Sequence, residues 1–183
     1  MNLIDTHCHL YLQDFKSDLN EIIQRAEGTS VKKIFLPAID SETHPQLISL
    51  CQLSTANCQF FAMMGLHPCS VKENFEEELK IVESCLNSET KFYGIGETGL
   101  DYYWDLTFKE QQIISFERQI QWSIERNLPV IIHSRNSTSD CIKSVTRLWS
   151  TPAAKYSITT LSVFSRIRLE SSSVVSAWYG SKV

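Results

Sequence analysis

The residues best suited to chemistry are a pair of histidines one residue apart, His7 and His9, in the segment DTHCHL at positions 5–10. Side chains alternate faces along an extended strand, so an H-x-H pair at a strand end turns both imidazoles the same way. Asp5 falls on that face. Two imidazoles, with a carboxylate as further ligand or orienting partner, can grip one divalent cation. Residues of the same chemical kind stand at the ends of later apolar runs: His67 in GLHP, Glu97 in GETGLDYYWD and His133 in VIIHSR. Any one such histidine is more often structural than functional. Four of the chain's five histidines in equivalent places, joined by a glutamate, point instead to a shared metal site. His44, in the loop SETHP, has no such placement and reads as structural.

These residues need elements to position them. Five apolar, β-rich runs begin near residues 2, 31, 59, 91 and 128, namely NLIDTH, VKKIFLPAI, QFFAMMGLH, KFYGIGE and LPVIIHS. Helical patterns separate them. Leu19, Ile22, Ile23 and Ala26 form an i, i+3, i+4, i+7 stripe behind a Ser17 cap. Thr107-x-x-Glu110 reads as a capping box ahead of an apolar face of Ile113, Phe116, Ile120 and Ile124. Ile142, Val145 and Trp149 offer one more face. Five βα units in series predict an α/β protein with a parallel sheet, either doubly wound or a (β/α)8 barrel. His67, Glu97 and His133 each close a run. Strand C-terminal ends converge on one mouth in a barrel, which favours that architecture.

Bulk properties narrow the function. At 183 residues and a net charge of −4, the chain has the composition of a soluble globular protein. No apolar run reaches the roughly 18–20 residues of a membrane span, and no signal pattern opens the chain, so the expected location is cytoplasmic with no membrane partner. The six cysteines, Cys8, Cys51, Cys58, Cys69, Cys85 and Cys141, are irregularly spaced without a C-x-x-C pair and read as reduced thiols. The negative charge excludes a broad electrostatic grip on nucleic acid, so a polyanionic substrate would be engaged locally, through bound metal.

DTHCHL, GLHP, GETGLDYY and LPVIIHSR, in this order, resemble the TatD-type metal-dependent deoxyribonucleases, a branch of the amidohydrolase-like TIM barrels. The resemblance covers about residues 1–146. It implies a divalent-metal-dependent hydrolase that cleaves phosphodiester bonds of DNA, removing nucleotides from a strand end. Residue by residue, it makes His7 and His9 ligands of one metal, Glu97 a carboxylate bridging two, and His133 a ligand of the second. It places His67 near the scissile phosphate as a catalytic group beside Glu97, and Arg135 against a substrate phosphate. The implied cofactors are two divalent ions, Mg2+ first by availability, with Mn2+ or Zn2+ as alternatives by ligand softness. Such a pair, about 3.5–4 Å apart, suits phosphodiester hydrolysis. Another amidohydrolase-type reaction, on C–N bonds, shares the H-x-H opening, but many of those enzymes use a carboxylated lysine where GETGLDYYWD offers Glu97.

Beyond residue 146 the pattern stops. Residues 1–146 carry 12 basic and 20 acidic side chains, whereas residues 147–183 carry 5 and 1, with nine serines and no histidine. The resemblance implies a further histidine ligand after a sixth strand and an aspartate ligand after an eighth, and neither has a counterpart. The expected organisation is therefore the N-terminal part of a TatD-like barrel at 1–146, holding about the first five βα units, followed by a non-matching tail at 147–183. A lost or frameshifted 3′ portion would explain it. The alternative function is a catalytically inactive fragment that at most binds metal or associates with another chain. Five strands of eight leave open edges at the first and fifth strands, predicting marginal stability or self-association through them.

Overall fold

Each apolar run becomes a strand and each amphipathic stretch a helix laid over it. The computed structural model of the chain describes residues 2–149 and 162–163. In chain order, β1 is Leu3–Asp5, α1 Leu19–Gly28, β2 Val31–Pro37, α2 His44–Gln52, β3 Gln59–Met63, α3 Phe75–Leu86, β4 Ile95–Asp101, α4 Lys109–Arg126, β5 Val130–Arg135, α5 Thr138–Trp149 and β6 Ser162–Val163. Every strand pairing is parallel, in two runs ordered β1-β2-β3 and β4-β5-β6. A parallel bridge between Met64 and Ile95 carries the first run into the second. Gly96 N donates to Met64 O at 3.1 Å, and Glu97 N to Ala38 O at 3.3 Å. The result is an α/β partial barrel, with helices outside and one continuous apolar cluster that includes Leu36, Met64, Leu66, Ile95, Leu100, Phe116 and Ile120.

Several local expectations are corrected. Glu97 does not close its strand: β4 begins four residues later than the run starting at Lys91 and continues through Gly99 to Asp101, with all seven residues buried. The α1 stripe packs as expected, but α1 starts after Asp18 rather than Ser17, with no side-chain cap. The Thr107–Glu110 box is not formed, because Asp105 Oδ1 accepts from Thr107 N at 2.8 Å and α4 begins at Lys109. On α5, Val145 packs against the core as expected, but Ile142 is 59% exposed, and the Trp149 side chain lies outside the described residues. The buried side of α5 also carries Cys141 and Ser144, whose hydroxyl donates to Glu117 of α4 at 2.9 Å. The fifth strand is not an open edge throughout, since Ile131 and Ile132 pair with Ser162 and Val163 of β6. The rest of the 147–183 tail, Arg147 to Trp149 apart, lies outside the described residues.

One buried amide governs the approach to His67. Gln119 on α4 is fully buried; its Oε1 accepts from Leu66 N at 2.8 Å and its Nε2 donates to Leu66 O at 3.1 Å. Both main-chain groups of the residue before His67 are thereby satisfied by a helix 53 residues away. Gln119→Ala leaves both unpaired and opens a cavity, at an expected cost of about 3 kcal/mol. Urea unfolding should report it as a lower midpoint at an unchanged slope.

Candidate metal centre

Beyond β1 the chain stays extended, and Cys8 N donates to Phe35 O at 3.0 Å, carrying the β1–β2 pairing forward. His7 and His9 flank Cys8 and turn inward together. Asp5 is not among the ligand groups; its Oδ1 accepts from His7 N at 3.0 Å and fixes the start of the H-x-H segment. From β4, the Glu97 carboxylate, 10% exposed, reaches the centre of the mouth. His7 Nε2 stands 2.9 Å and His9 Nε2 3.4 Å from Glu97 Oε2, and the two imidazole nitrogens are 3.2 Å apart. The other oxygen, Oε1, faces His133 Nδ1 at 3.0 Å and His67 Nε2 at 3.9 Å. Glu97 therefore joins two groups of metal-compatible atoms, His7–His9–Glu97 and His67–Glu97–His133.

The spacings fit a cation. Metal–ligand bonds near 2.0–2.2 Å place neighbouring ligands roughly 3 Å apart, which is the separation His7, His9 and Glu97 Oε2 already have. The tautomers can be read from hydrogen bonds. Tyr11 donates its only hydroxyl proton to Pro37 O at 2.6 Å, so at 2.9 Å it must accept from His9 Nδ1. The neutral His9 ring then keeps its lone pair on Nε2, directed at the site, with its orientation fixed from outside. His67 is set the other way. Its Nδ1 accepts from Cys69 N at 3.1 Å, so the neutral ring carries its proton on Nε2, toward Glu97. Burial pushes His67 down to about 4, which keeps it neutral at pH 7. His67 is thus built as a hydrogen-bond donor into the mouth, and the ligand atoms suited to a second cation are Glu97 Oε1 and His133 Nδ1.

His133 is held between two carboxylates. Its Nε2 lies 2.8 Å from Asp101 Oδ2, four residues beyond Glu97 on the same strand. Burial alone would lower its pKa, but hydrogen bonds and charge from Glu97 and Asp101 raise it, while desolvation of Glu97 is outweighed by the imidazoles that hold it well below its usual value. A carboxylate on one imidazole nitrogen and a ligand position on the other is the usual outer support of a metal-binding histidine. Asp101 is a residue that sequence reasoning misses. Its only signal is its place in GETGLDYY, four positions past Glu97. Tyr11 likewise gives no sequence signal beyond lying two residues after His9.

The remaining residues fall outside the two groups. Arg135 ends β5 with its guanidinium over the Tyr103 ring at 3.6 Å. His44 is buried at the start of α2, and neither ring nitrogen has a partner among the described residues. Burial lowers its pKa, so the unfolded chain takes up this proton more readily than the folded one. Its stabilising effect is complete above the unfolded value near 6.5 and is lost as pH falls below it, by up to about 1.4 kcal/mol per pH unit. Relative to wild type, His44→Leu is expected to gain melting temperature progressively between pH 6.5 and 5, measured by circular dichroism. All six thiols are free.

The model of the family described as TatD related DNase matches residues 4–159. The chain belongs to that family. Among its TatD relatives, an uncharacterized metal-dependent hydrolase of Bacillus subtilis, YabD, is 35% identical over 140 residues, covering 76% of this chain and 53% of the relative. YjjV of Escherichia coli K12, also an uncharacterized metal-dependent hydrolase, is 32% identical over 136 residues, covering 73% and 51%. The crystal structure of YjjV, a TatD homolog, superposes with a TM-score of 0.72 at 29% identity, over 80% of this chain and 56% of that one. An amidohydrolase from Saccharomyces cerevisiae, at 22% identity and a TM-score of 0.68, shares the fold. The chain thus spans about half the length of the relatives it matches, and the TatD match runs 13 residues past 146, into the segment set apart by composition. No helix among the described residues is long and apolar enough to cross a membrane.

Proposed function

We propose that the chain is a divalent-metal-dependent phosphodiesterase of the TatD deoxyribonuclease kind, acting on DNA ends in the cytoplasm. The observation that carries this reading is the Glu97 carboxylate, with one oxygen toward His7 and His9 and the other toward His133. A carboxylate set between two groups of imidazoles suits a two-cation site. Bound there, the cations would supply an activated water and neutralise charge on the attacking and leaving oxygens. The protein's own residues do the positioning. Tyr11 and Asp101 orient His9 and His133, Glu97 keeps the two ligand groups in register, and His67, neutral and protonated on Nε2, donates to an oxygen of the phosphate. Mg2+ is the first choice of ion, with Mn2+ or Zn2+ as alternatives.

A second reading rests on β1, an edge strand on which Leu3 is 39% and Ile4 54% exposed: it suits a catalytically inactive chain that binds metal or pairs with another chain through that edge. The two readings separate in one assay. Release of nucleotides from end-labelled single-stranded DNA by the full 183-residue chain, in Mg2+, Mn2+ or Zn2+ and absent in chelator, supports the enzyme. Soluble, metal-binding protein that releases none supports the second reading.

A further inference from the structure

Immediately past β4 the chain places two large aromatic side chains in solvent, Tyr103 at 53% and Trp104 at 67% exposure. Burying such surfaces is worth far more than leaving them wet, so their exposure beside a metal centre requires an explanation. They are ordered by their neighbours. The two rings meet edge to face with centroids 4.7 Å apart, and the Arg135 guanidinium lies 3.6 Å from the Tyr103 centroid and 4.9 Å from that of Trp104. Among the described residues no carboxylate pairs with Arg135, so its planar fork is oriented by stacking while its donors stay available.

The assembly is wired to the metal centre. Asp101 Oδ1 accepts from Tyr103 N at 2.9 Å, while its Oδ2 faces His133 Nε2 at 2.8 Å. Register places Asp101 beside Arg135 across the β4–β5 ladder. A cavity of about 160 Å3 continues from the same carboxylate, bounded by Pro68 and Cys69, next to His67, and by Lys72 and Trp104 on the outer side. One carboxylate thus fixes both the imidazole that would hold metal and the loop that presents the aromatics.

We propose that the loop following β4 is a base-stacking subsite, in which Trp104 receives an unstacked base of a single-stranded DNA end and Arg135, braced on Tyr103, meets an adjacent phosphate. This rests on the phosphodiesterase reading of the centre. A free indole face takes any base, but only one not already stacked in a duplex, which selects single strands without reading sequence. Arginine beside it supplies a bidentate phosphate contact.

The test compares full-length wild type with Trp104→Ala and Trp104→Phe. Anisotropy in chelator would measure binding of a fluorescein-labelled oligothymidylate of about 12 nucleotides and of an abasic oligomer of equal length, and nucleotide release would be followed separately in Mg2+, Mn2+ and Zn2+. Wild type should prefer the oligomer with bases by about tenfold or more. Trp104→Ala should lose that preference and Trp104→Phe should keep most of it, with unchanged circular dichroism in both. A Trp104→Ala protein that keeps the preference, or a wild type that releases nucleotides yet shows none, overturns the subsite while leaving the enzyme reading intact. A wild type with the preference but no release in any metal overturns the enzyme reading instead. Neither binding nor release removes both.

Discussion

Glu97→Ala is expected to weaken divalent-cation binding by more than a hundredfold and to lower any metal-dependent turnover by about a thousandfold. Outer-shell partners of metal ligands alone are worth 10–100-fold in affinity, and Glu97 is no outer partner: both its oxygens face imidazole nitrogens. Its removal takes the shared ligand from both groups at once, so the loss should exceed that from either His7→Ala or His133→Ala. Glu97→Gln separates charge from shape, because the amide fills the space but cannot supply an anion between two cations. Titration calorimetry with Mn2+ on the full chain measures the effect. An affinity for Glu97→Ala within a few-fold of wild type would show that metal binds elsewhere. The turnover loss follows from the several kcal/mol of charge stabilisation that bound cations supply to phosphoryl chemistry.

Much of this centre is legible in sequence because strand geometry is periodic. His7 and His9 are forced onto one side by the alternation of extended chain, and the order of βα units brings their strand end beside those carrying Glu97 and His133. The supporting residues are legible only after folding. Tyr11 matters because its single hydroxyl proton goes to Pro37 O, which decides the tautomer of His9. Gln119 reads as one more polar residue on α4, yet it holds Leu66 and hence the segment leading to His67. No spacing rule predicts either, since both depend on backbone groups 26 and 53 residues away. Local capping signals misled for a related reason. The Thr107 backbone N–H found a nearer acceptor in Asp105, and short-range competition of this kind is settled by geometry rather than residue type.

The two polar layers have different physical tasks. The inner one concentrates imidazole and carboxylate at separations that unpaired groups would avoid. The outer one, made of Tyr11, Asp101, Cys69 N and Gln119, determines which nitrogen of each ring carries the proton and where each ring stands. His9 presents a lone pair and His67 a proton within the same mouth, although the two side chains are chemically identical. That difference comes from one hydroxyl and one backbone amide, and it suits one histidine to hold a metal and the other to donate to a substrate.

The largest structural effect should come from the smallest side-chain change, Gly99→Ala. Gly99 has φ +143°, a region that L-residues with side chains rarely adopt, and a Cβ placed there would clash with the carbonyl oxygen of His133. That oxygen belongs to the backbone of β5, directly opposite Gly99 in the ladder, with Thr98 and Leu100 paired to Ile132 and Ser134 on either side. Neither strand can yield without breaking those pairs, and β4 is buried along its whole length. The clash and the strained φ together should cost more than about 4 kcal/mol, a large part of the 5–15 kcal/mol that holds an ordinary domain together. Gly28→Ala is the matched control: nothing lies within 4 Å of a Cβ at that position, the last of α1, so a change of at most about 1 kcal/mol in the stabilising direction is expected. Thermal unfolding followed by circular dichroism distinguishes them. Should Gly99→Ala melt within a few degrees of wild type, the tight β4–β5 contact would not be what holds His133 between Glu97 and Asp101. If it unfolds as expected, the same contact that closes the two strands also sets the imidazole between its two carboxylates, and neither the fold nor the centre can be altered there without the other.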